Sequence, residues 1–272
     1  MATEPVLWFQ DAGCLEVSEA GGKGASLASM TQQNLPVPGG FEVPADVLAK
    51  SVDEVELRNL ARAKDHAAAM KLVEETAQVP SEVIDAYNAL GGGKVAVRSS
   101  ASAEDSEAAS YAGQQETYLN VVGDDAVRKA VVDCWASFFS ERALFYRGQK
   151  GSLEDLRMAV VVQKMVDAEK AGVVFTIHPV TRRKDRMLIE AVYGLGEQVV
   201  SGEVTPDHYV VDRRGREKKS DTPHGGVLTA NELAKLAALA VDLEEYYGMP
   251  QDIEWAIFEA EVFLLQSRPV TA

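Results

Sequence analysis

The chain has 272 residues, 46% of them apolar, which supplies a sizeable core for one large domain or two lobes. Its formal net charge of −15 argues against non-specific binding to nucleic acid or an anionic membrane, and no run of about 18 apolar residues is present to span a bilayer. The opening MATEPVLWFQDAG lacks the basic-then-apolar order of a signal peptide, and the two cysteines, Cys14 and Cys134, fit neither a disulfide scaffold nor a zinc site, so both are expected to be packing residues and the cytoplasm is the expected compartment.

In chain order, Leu7 to Phe9 is a short apolar entry. Gly21-Gly22-Lys23-Gly24 reads as a turn leading into a helical ASLASMTQQ. Its glycines allow close backbone approach to a ligand and its lysine can reach a phosphate, but it is not the P-loop pattern, and a plain helix-entry turn fits it too. Residues 34–44 carry prolines and glycines throughout and read as an extended connection. Residues 45–90 read as helices, with a break at Val79-Pro80 and a restart capped by Ser81.

The stretch VAVRSSASAEDSEAASYAGQQETYLNV, 95–121, begins as a buried strand, turns polar at Arg98-Ser99-Ser100 and becomes a strand again near Tyr118. Two readings stay open: a solvated loop, or a flap over a polyanion anchored by Arg98. The flap needs Glu104, Asp105 and Glu107 to face solvent or a cation, leaving Ser99 and Ser100 to donate to phosphate oxygens. A single long helix is expected from Asp124 to about Arg147, with Val127, Val131, Trp135, Phe138, Phe139 and Leu144 near helical spacing.

From Met158 the pattern changes to short apolar strands, MAVVVQKMV, AGVVFTIHPV, RMLIEAVYG and HYVVD. Gln163 to Val166 fits either a core strand or a hinge that reads an adenine edge. Gly194 and Gly196 give G-x-G without the rest of the dinucleotide fingerprint, so a Rossmann reading fails. Thr229 and Glu232 form a capping-box signature for a last helix. The closing DIEWAIFEAEVFLLQSRPVTA reads as a hairpin centred on Ala260, which would set Glu254 opposite Gln266 and Asp252 opposite Arg268. Slipping the register by one residue would mix polar and apolar side chains on one face. The pairing gathers oxygen donors suited to Mg²⁺ beside a guanidinium; a solvated strand face with a surface ion pair is the plain alternative.

Seven segments, GGKGASL, VAVRSSASAEDS, YAGQQETYLNV, QKMV, GVVFTIHPVT, GLGEQVVSGEVTPDHYVVD and DIEWA…LLQSRPVT, resemble in this order the nucleotide-binding domain of the phosphoenolpyruvate synthase and pyruvate phosphate dikinase family, which includes rifampin phosphotransferase. The match runs from about residue 5 to residue 271, and GQQET and SRPV look closer to the synthase and rifampin branch. The resemblance implies an α+β, two-lobed ATP-grasp fold with ATP between the lobes. The N-terminal lobe would cover 1–155 and the C-terminal lobe 156–272. It further implies that Lys23, Arg98 and Thr117 bind phosphates, and that Gln163, Lys164, Met165 and Val166 meet the adenine. Glu254 and Gln266 would hold Mg²⁺, Arg268 the transferring phosphates, with Asp252 behind it, and Glu190 would fall near the ribose or the lobe floor. Lys23, Arg98 and Arg268 would carry the catalysis.

In that family ATP is split to AMP and phosphate, and a phosphoryl group passes through a histidine on a swivelling domain. His66, His178, His208 and His224 do not lie in the Thr-Ser-His-Ala setting the family uses. His178 reads as part of a strand-ending turn and His208 as structural. The acceptor histidine is therefore expected on another chain or a missing segment. Two alternatives stand beside this one: direct phosphorylation of a small molecule such as an antibiotic or metabolite, and a nucleotide-binding regulatory subunit without turnover.

Overall fold

The computed structural model describes residues 4–101, 116–196 and 204–270. Glu104, Asp105, Glu107 and Gly113 of the expected flap lie outside the described residues, as does Gly202. The chain divides into two compact units, one of residues 1–33 and 39–165, the other of 34–38 and 166–272.

The first unit holds a five-stranded antiparallel sheet in the order β1-β2-β5-β3-β4. These strands are β1 (Leu7–Trp8), β2 (Gly40–Val43), β3 (Val95–Ser100), β4 (Thr117–Val121) and β5 (Ala159–Lys164). Strand alternation sorts the side chains onto two faces. Phe41, Val43, Val95, Val97, Val160 and Val162 point into the main core with Val131, Cys134 and Trp135. The opposite face carries the cross-strand row Thr117, Arg98, Val161 and Glu42. β2 emerges from the expected extended connection because Phe41 and Val43 alternate with Glu42 and so suit a strand.

Helix α1 (Val17–Gln32) packs over β2, β3 and β5. It begins before the Gly-Gly-Lys-Gly string, which lies inside it. Gly21, at φ 68 and ψ 177, breaks the helical path there. Four helices follow: α2 (Val47–Ser51), α3 (Glu54–Ala63), α4 (His66–Thr76) and α5 (Ser81–Ala89). Asp53 and Asp65 cap α3 and α4 by accepting from the Glu56 and Ala68 amides. Ser81 is the first helical residue of α5 rather than its cap, a place Pro80 takes.

The single helix expected over 124–147 is two, α6 (Asp124–Ser137) and α7 (Glu141–Lys150). Ser140 caps the second by accepting from the Ala143 amide. Buried Arg147 reaches back to the Phe138 carbonyl at 3.1 Å, stacks 3.8 Å from the Phe138 ring centroid, and also bonds the Ser152, Leu153 and Asp155 carbonyls. The Phe138 carbonyl thereby finds a partner outside a continuous helix.

The second unit is a six-stranded antiparallel sheet, β11-β10-β6-β7-β8-β9. Its strands are β6 (Lys170–Phe175), β7 (Met187–Tyr193), β8 (Asp207–Val211), β9 (Glu217–Asp221), β10 (Gln251–Phe258) and β11 (Glu261–Pro269). β9 is an exposed, charged edge with no apolar alternation to announce it. Helix α8 (Ala230–Tyr247) packs over β10 and β6, and the Thr229–Glu232 capping box forms as the sequence indicates. Leu233, Leu236, Ala237, Ala240 and Leu243 are buried, as are Ile253, Trp255, Val174 and Ile189 on the sheet. Each fully buried Leu or Ile there contributes about 2 kcal/mol.

Candidate functional site

In the first unit, the end of β3 and the interrupted α1 are tied together through the backbone. The Gly22 amide donates to the Ala101 carbonyl at 3.0 Å. The Ser100 hydroxyl donates to the Ala20 carbonyl at 2.8 Å and accepts from the Gly24 amide at 3.2 Å. A Cβ on Gly21, which is at positive φ, would overlap the Ser100 carbonyl, so that position requires glycine, whereas one on Gly24 would meet the end of the Glu42 side chain on β2. This close approach sets the buried Lys23 ammonium 3.0 Å from the Ser99 carbonyl.

Arg98, one residue earlier on β3, pairs across the sheet with Thr117 at the start of β4. Gln163, on β5, shares their face and is buried. Lys164 alternates to the other face and is exposed. Met165 ends the first unit and Val166 begins the second. The Met165 amide donates to the Lys94 carbonyl at 3.0 Å. The Ser99 and Ser100 hydroxyls are buried against backbone, Ser99 reaching the Glu116 carbonyl at 3.4 Å. These backbone partners are what the two hydroxyls, offered by the sequence as candidate donors to phosphate, meet here.

In the second unit the closing hairpin turns at Glu259-Ala260, both at positive φ, a two-residue turn that matches strand twist. Near this turn Phe258 pairs with Glu261 and Trp255 with Leu264. One extra residue, Leu265, then shifts the register, so that Glu254 meets Gln266 and Asp252 meets Arg268. The expected centre on Ala260 is thus corrected to 259–260, while the expected pairs form because of the bulge.

The register extends across the sheet as two parallel rows on one face. One row runs Gln266, Glu254, Val173, Glu190, His208 and Asp221. The other runs Arg268, Asp252, Phe175, Leu188, Val210 and Lys219. Arg268 donates through Nε at 2.9 Å and Nη2 at 2.8 Å to Asp252 Oδ2. Burial pushes the Asp252 carboxyl up; the Arg268 guanidinium offsets part of this, and the Glu254 charge adds to the rise. Glu190 is likewise raised, by burial first and by Asp252, against the pull of His208. The face is therefore rich in carboxylate, and a bound cation would relieve it.

Sequence reasoning missed His208 as a member of this face. The signal was the alternation in DHYVV, which sends His208 and Val210 one way and Asp207, Tyr209 and Val211 the other. On the reverse face, buried Asp207 accepts from the His224, Gly226 and Val227 amides at 2.8, 3.0 and 2.8 Å. Burial acts to raise Asp207, but these donors and the Tyr209 hydroxyl win and hold it low. His178 shapes its turn, its Nδ1 accepting from the Val180 and Thr181 amides at 3.3 Å each. Both cysteines are buried and burial pushes their thiols up, which suits packing rather than chemistry.

Comparison with known proteins fits this picture. The family model described as pyruvate phosphate dikinase, AMP/ATP-binding domain, matches residues 17–225 and 214–272, and the chain belongs to that family. Its curated relatives include a probable phosphoenolpyruvate synthase of Methanothermobacter thermautotrophicus, 41% identical over 98% of this chain and 46% of that protein. The phosphoenolpyruvate synthase of Pyrococcus furiosus is 34% identical over 100% of this chain and 44% of its own length. The chain thus spans about half the length of these relatives. Among solved structures, D-alanyl-alanine synthetase A from Vibrio cholerae aligns with a TM-score of 0.42 at 13% identity, over 92% of this chain and 58% of that one.

The donor set on the hairpin fits Mg²⁺. Glu254 and Gln266 offer hard oxygens from adjacent strands, and Mg²⁺ takes one or two protein oxygens and completes its shell with phosphate and water. Among the described residues no group of three or more His, Cys, Asp or Glu is placed to hold a metal without such help. No helix of the described residues is long and apolar enough to cross a membrane.

Proposed function

We propose that the chain is an ATP-grasp phosphotransferase module. It binds Mg-ATP, cleaves it to AMP and phosphate, and passes a phosphoryl group to a histidine on another chain or on a segment beyond these residues. The observation that carries this reading is the bulged register of β10 and β11, which puts Glu254, Gln266, Asp252 and Arg268 on one sheet face. Family membership supports the nucleotide.

Within this reading Glu254 and Gln266 hold Mg²⁺, which supplies charge neutralisation to the polyphosphate. Arg268 offers its guanidinium to the transferring group and is kept in place by Asp252. Lys23 and Arg98 take further phosphate charge, with Thr117 beside Arg98. Gln163, Lys164, Met165 and Val166 meet the base. Phosphoryl transfer asks for positioning and charge stabilisation more than covalent chemistry, and these residue types supply both.

The test uses ATP labelled at the β or γ position, with and without a candidate histidine-domain partner. Label from the β position on the partner, with AMP in solution, is expected. Absence of both overturns the reading.

A further inference from the structure

The hairpin residues proposed for metal and phosphate sit at the weak end of their strand. β11 has β10 as its only strand neighbour among the described residues, and beyond the Leu265 bulge only four cross-strand pairs remain, from Glu254 with Gln266 to Gln251 with Pro269. The last pair includes a proline, which has no N–H to give the ladder. A short end segment of this kind opens locally at little cost unless something closes it. Arg268 lies one residue from the end of β11. On the site face Asp252 holds it, and the reverse face carries a second restraint. Alternation sends Ser267 to that reverse face, where it is buried. Its Oγ donates to Gln251 Oε1 at 2.9 Å. Gln251 is buried too, and its Nε2 donates to the Met249 and Pro250 carbonyls at 3.1 and 3.3 Å, which turns its oxygen toward Ser267.

We propose that Ser267 and Gln251 are positioning residues for the transfer: their buried hydrogen bond fixes the end of β11, and so the direction from which Arg268 meets the transferring phosphates. Three observations carry this. First, the bond joins the two strands diagonally, since Gln251 pairs with Pro269 and Ser267 with Ile253, so it closes the hairpin end from the face opposite the Asp252–Arg268 pair. Second, Gln251 is itself tied to the end of β6. Its amide donates to the Thr176 hydroxyl and its carbonyl accepts from the Thr176 amide, each at 2.9 Å. The Thr176 carbonyl accepts from Arg213 Nη1 at 3.0 Å, and Arg213 Nη1 also meets Glu244 Oε2 of α8 at 2.9 Å. Third, Thr176, Gln251 and Ser267 are all buried, where a polar side chain is costly unless it is bonded and an apolar one would fill the space without partners. A network satisfied in this way adds rigidity and a single geometry behind Arg268.

The consequence for transfer rests on the phosphotransfer reading, and two readouts separate them. The first needs no nucleotide: exchange of the Arg268 Nε proton with water, followed by NMR. Ser267→Ala is expected to speed that exchange about five- to tenfold, the scale of one net hydrogen bond, and Ser267→Thr, which keeps the hydroxyl, to restore it to within about threefold of wild type. A role confined to overall stability would leave this local exchange alone, and an unchanged rate in Ser267→Ala overturns the inference. The second readout is single-turnover transfer from Mg-ATP labelled at the β position to the histidine partner, with Mg-ATP affinity measured by calorimetry. Ser267→Ala should slow transfer about tenfold while affinity stays within about threefold of wild type, because misplacement of a positioned group is felt mainly in the reacting state. In the Arg268→Ala background the same change should cost less than about twofold, since a residue acting through Arg268 then has nothing left to place. An undiminished loss in that background overturns the inference. Absence of transfer by wild type, with the Nε exchange result intact, overturns the phosphotransfer reading and leaves the placing of Arg268 by Ser267 standing.

Discussion

The two units arrange their cationic side chains by different means. In the first, Lys23 is positioned by a helix that breaks at Gly21 and presses its backbone onto β3, with Ser100 bonded to both Ala20 and Gly24. Its placement depends on contacts 76 residues apart in sequence and on the absence of a side chain at Gly21. In the second, Arg268 is positioned by its direct cross-strand partner, Asp252, inside one hairpin. The first arrangement rests on backbone proximity and leaves no room for a methyl group at Gly21. The second is local, and depends on a register that a single bulge controls. The same requirement, a cation held against its own repulsion and solvation, is met once by tertiary packing and once by strand pairing.

This contrast can be broken from either side. On the proposed reading, Arg268→Ala should lower phosphoryl transfer about 10²–10³-fold, the loss typical of a donor aimed at developing charge. ATP affinity should fall less than about tenfold, read by single-turnover assay and calorimetry; equal losses in both would count against the role. Gly21→Ala attacks the other unit. It combines a backbone conformation that disfavours a side chain with overlap on the Ser100 carbonyl, and should cost about 3 kcal/mol in denaturant unfolding. A change below 1 kcal/mol, estimated on the same scale, would mean that α1 and β3 separate readily.

Asp207→Asn should cost about 1–2 kcal/mol at neutral pH, since a buried acceptor of three amides loses its charge. A carboxyl held below its ordinary value contributes stability that is present above about pH 4 and lost as pH falls through the lowered folded-state value. The variant should therefore show a flatter acid limb in a stability-versus-pH series, and an unchanged limb would remove Asp207 from that account. The smallest effect belongs to Thr229→Ala, which deletes a capping box on a helix packed over β10 and β6. About 1 kcal/mol of stability should go, with nucleotide affinity unchanged.

Much of the second unit was legible because its signals are local. Alternating apolar strands, the Thr229–Glu232 cap and the polarity of DIEWA against LLQSRPV are each contained within a few residues. β9 was not legible, since an edge strand of charged residues has no buried face to imprint a period. The α6–α7 break was hidden for a related reason: apolar spacing continues across it, while the interruption depends on Arg147 folding back on Phe138. Ser100 looked like a ligand donor because its hydroxyl's partners, Ala20 and Gly24, are far away in the chain. That His208 faces Glu190 was not legible, because the two are brought opposite each other only by sheet pairing.

The sequence by itself determined the class of the protein, the strands and helices that carry a period, and the hairpin pairs that polarity can select. Tertiary structure alone decided that Leu265 bulges to complete those pairs, that Gly21 lets α1 meet β3, and that His208 joins Glu190 on the face of Glu254. The physical reason is range. Propensity, capping and alternation act over one turn or one strand pair, whereas close backbone approach and cross-sheet rows depend on residues that only the folded chain makes neighbours.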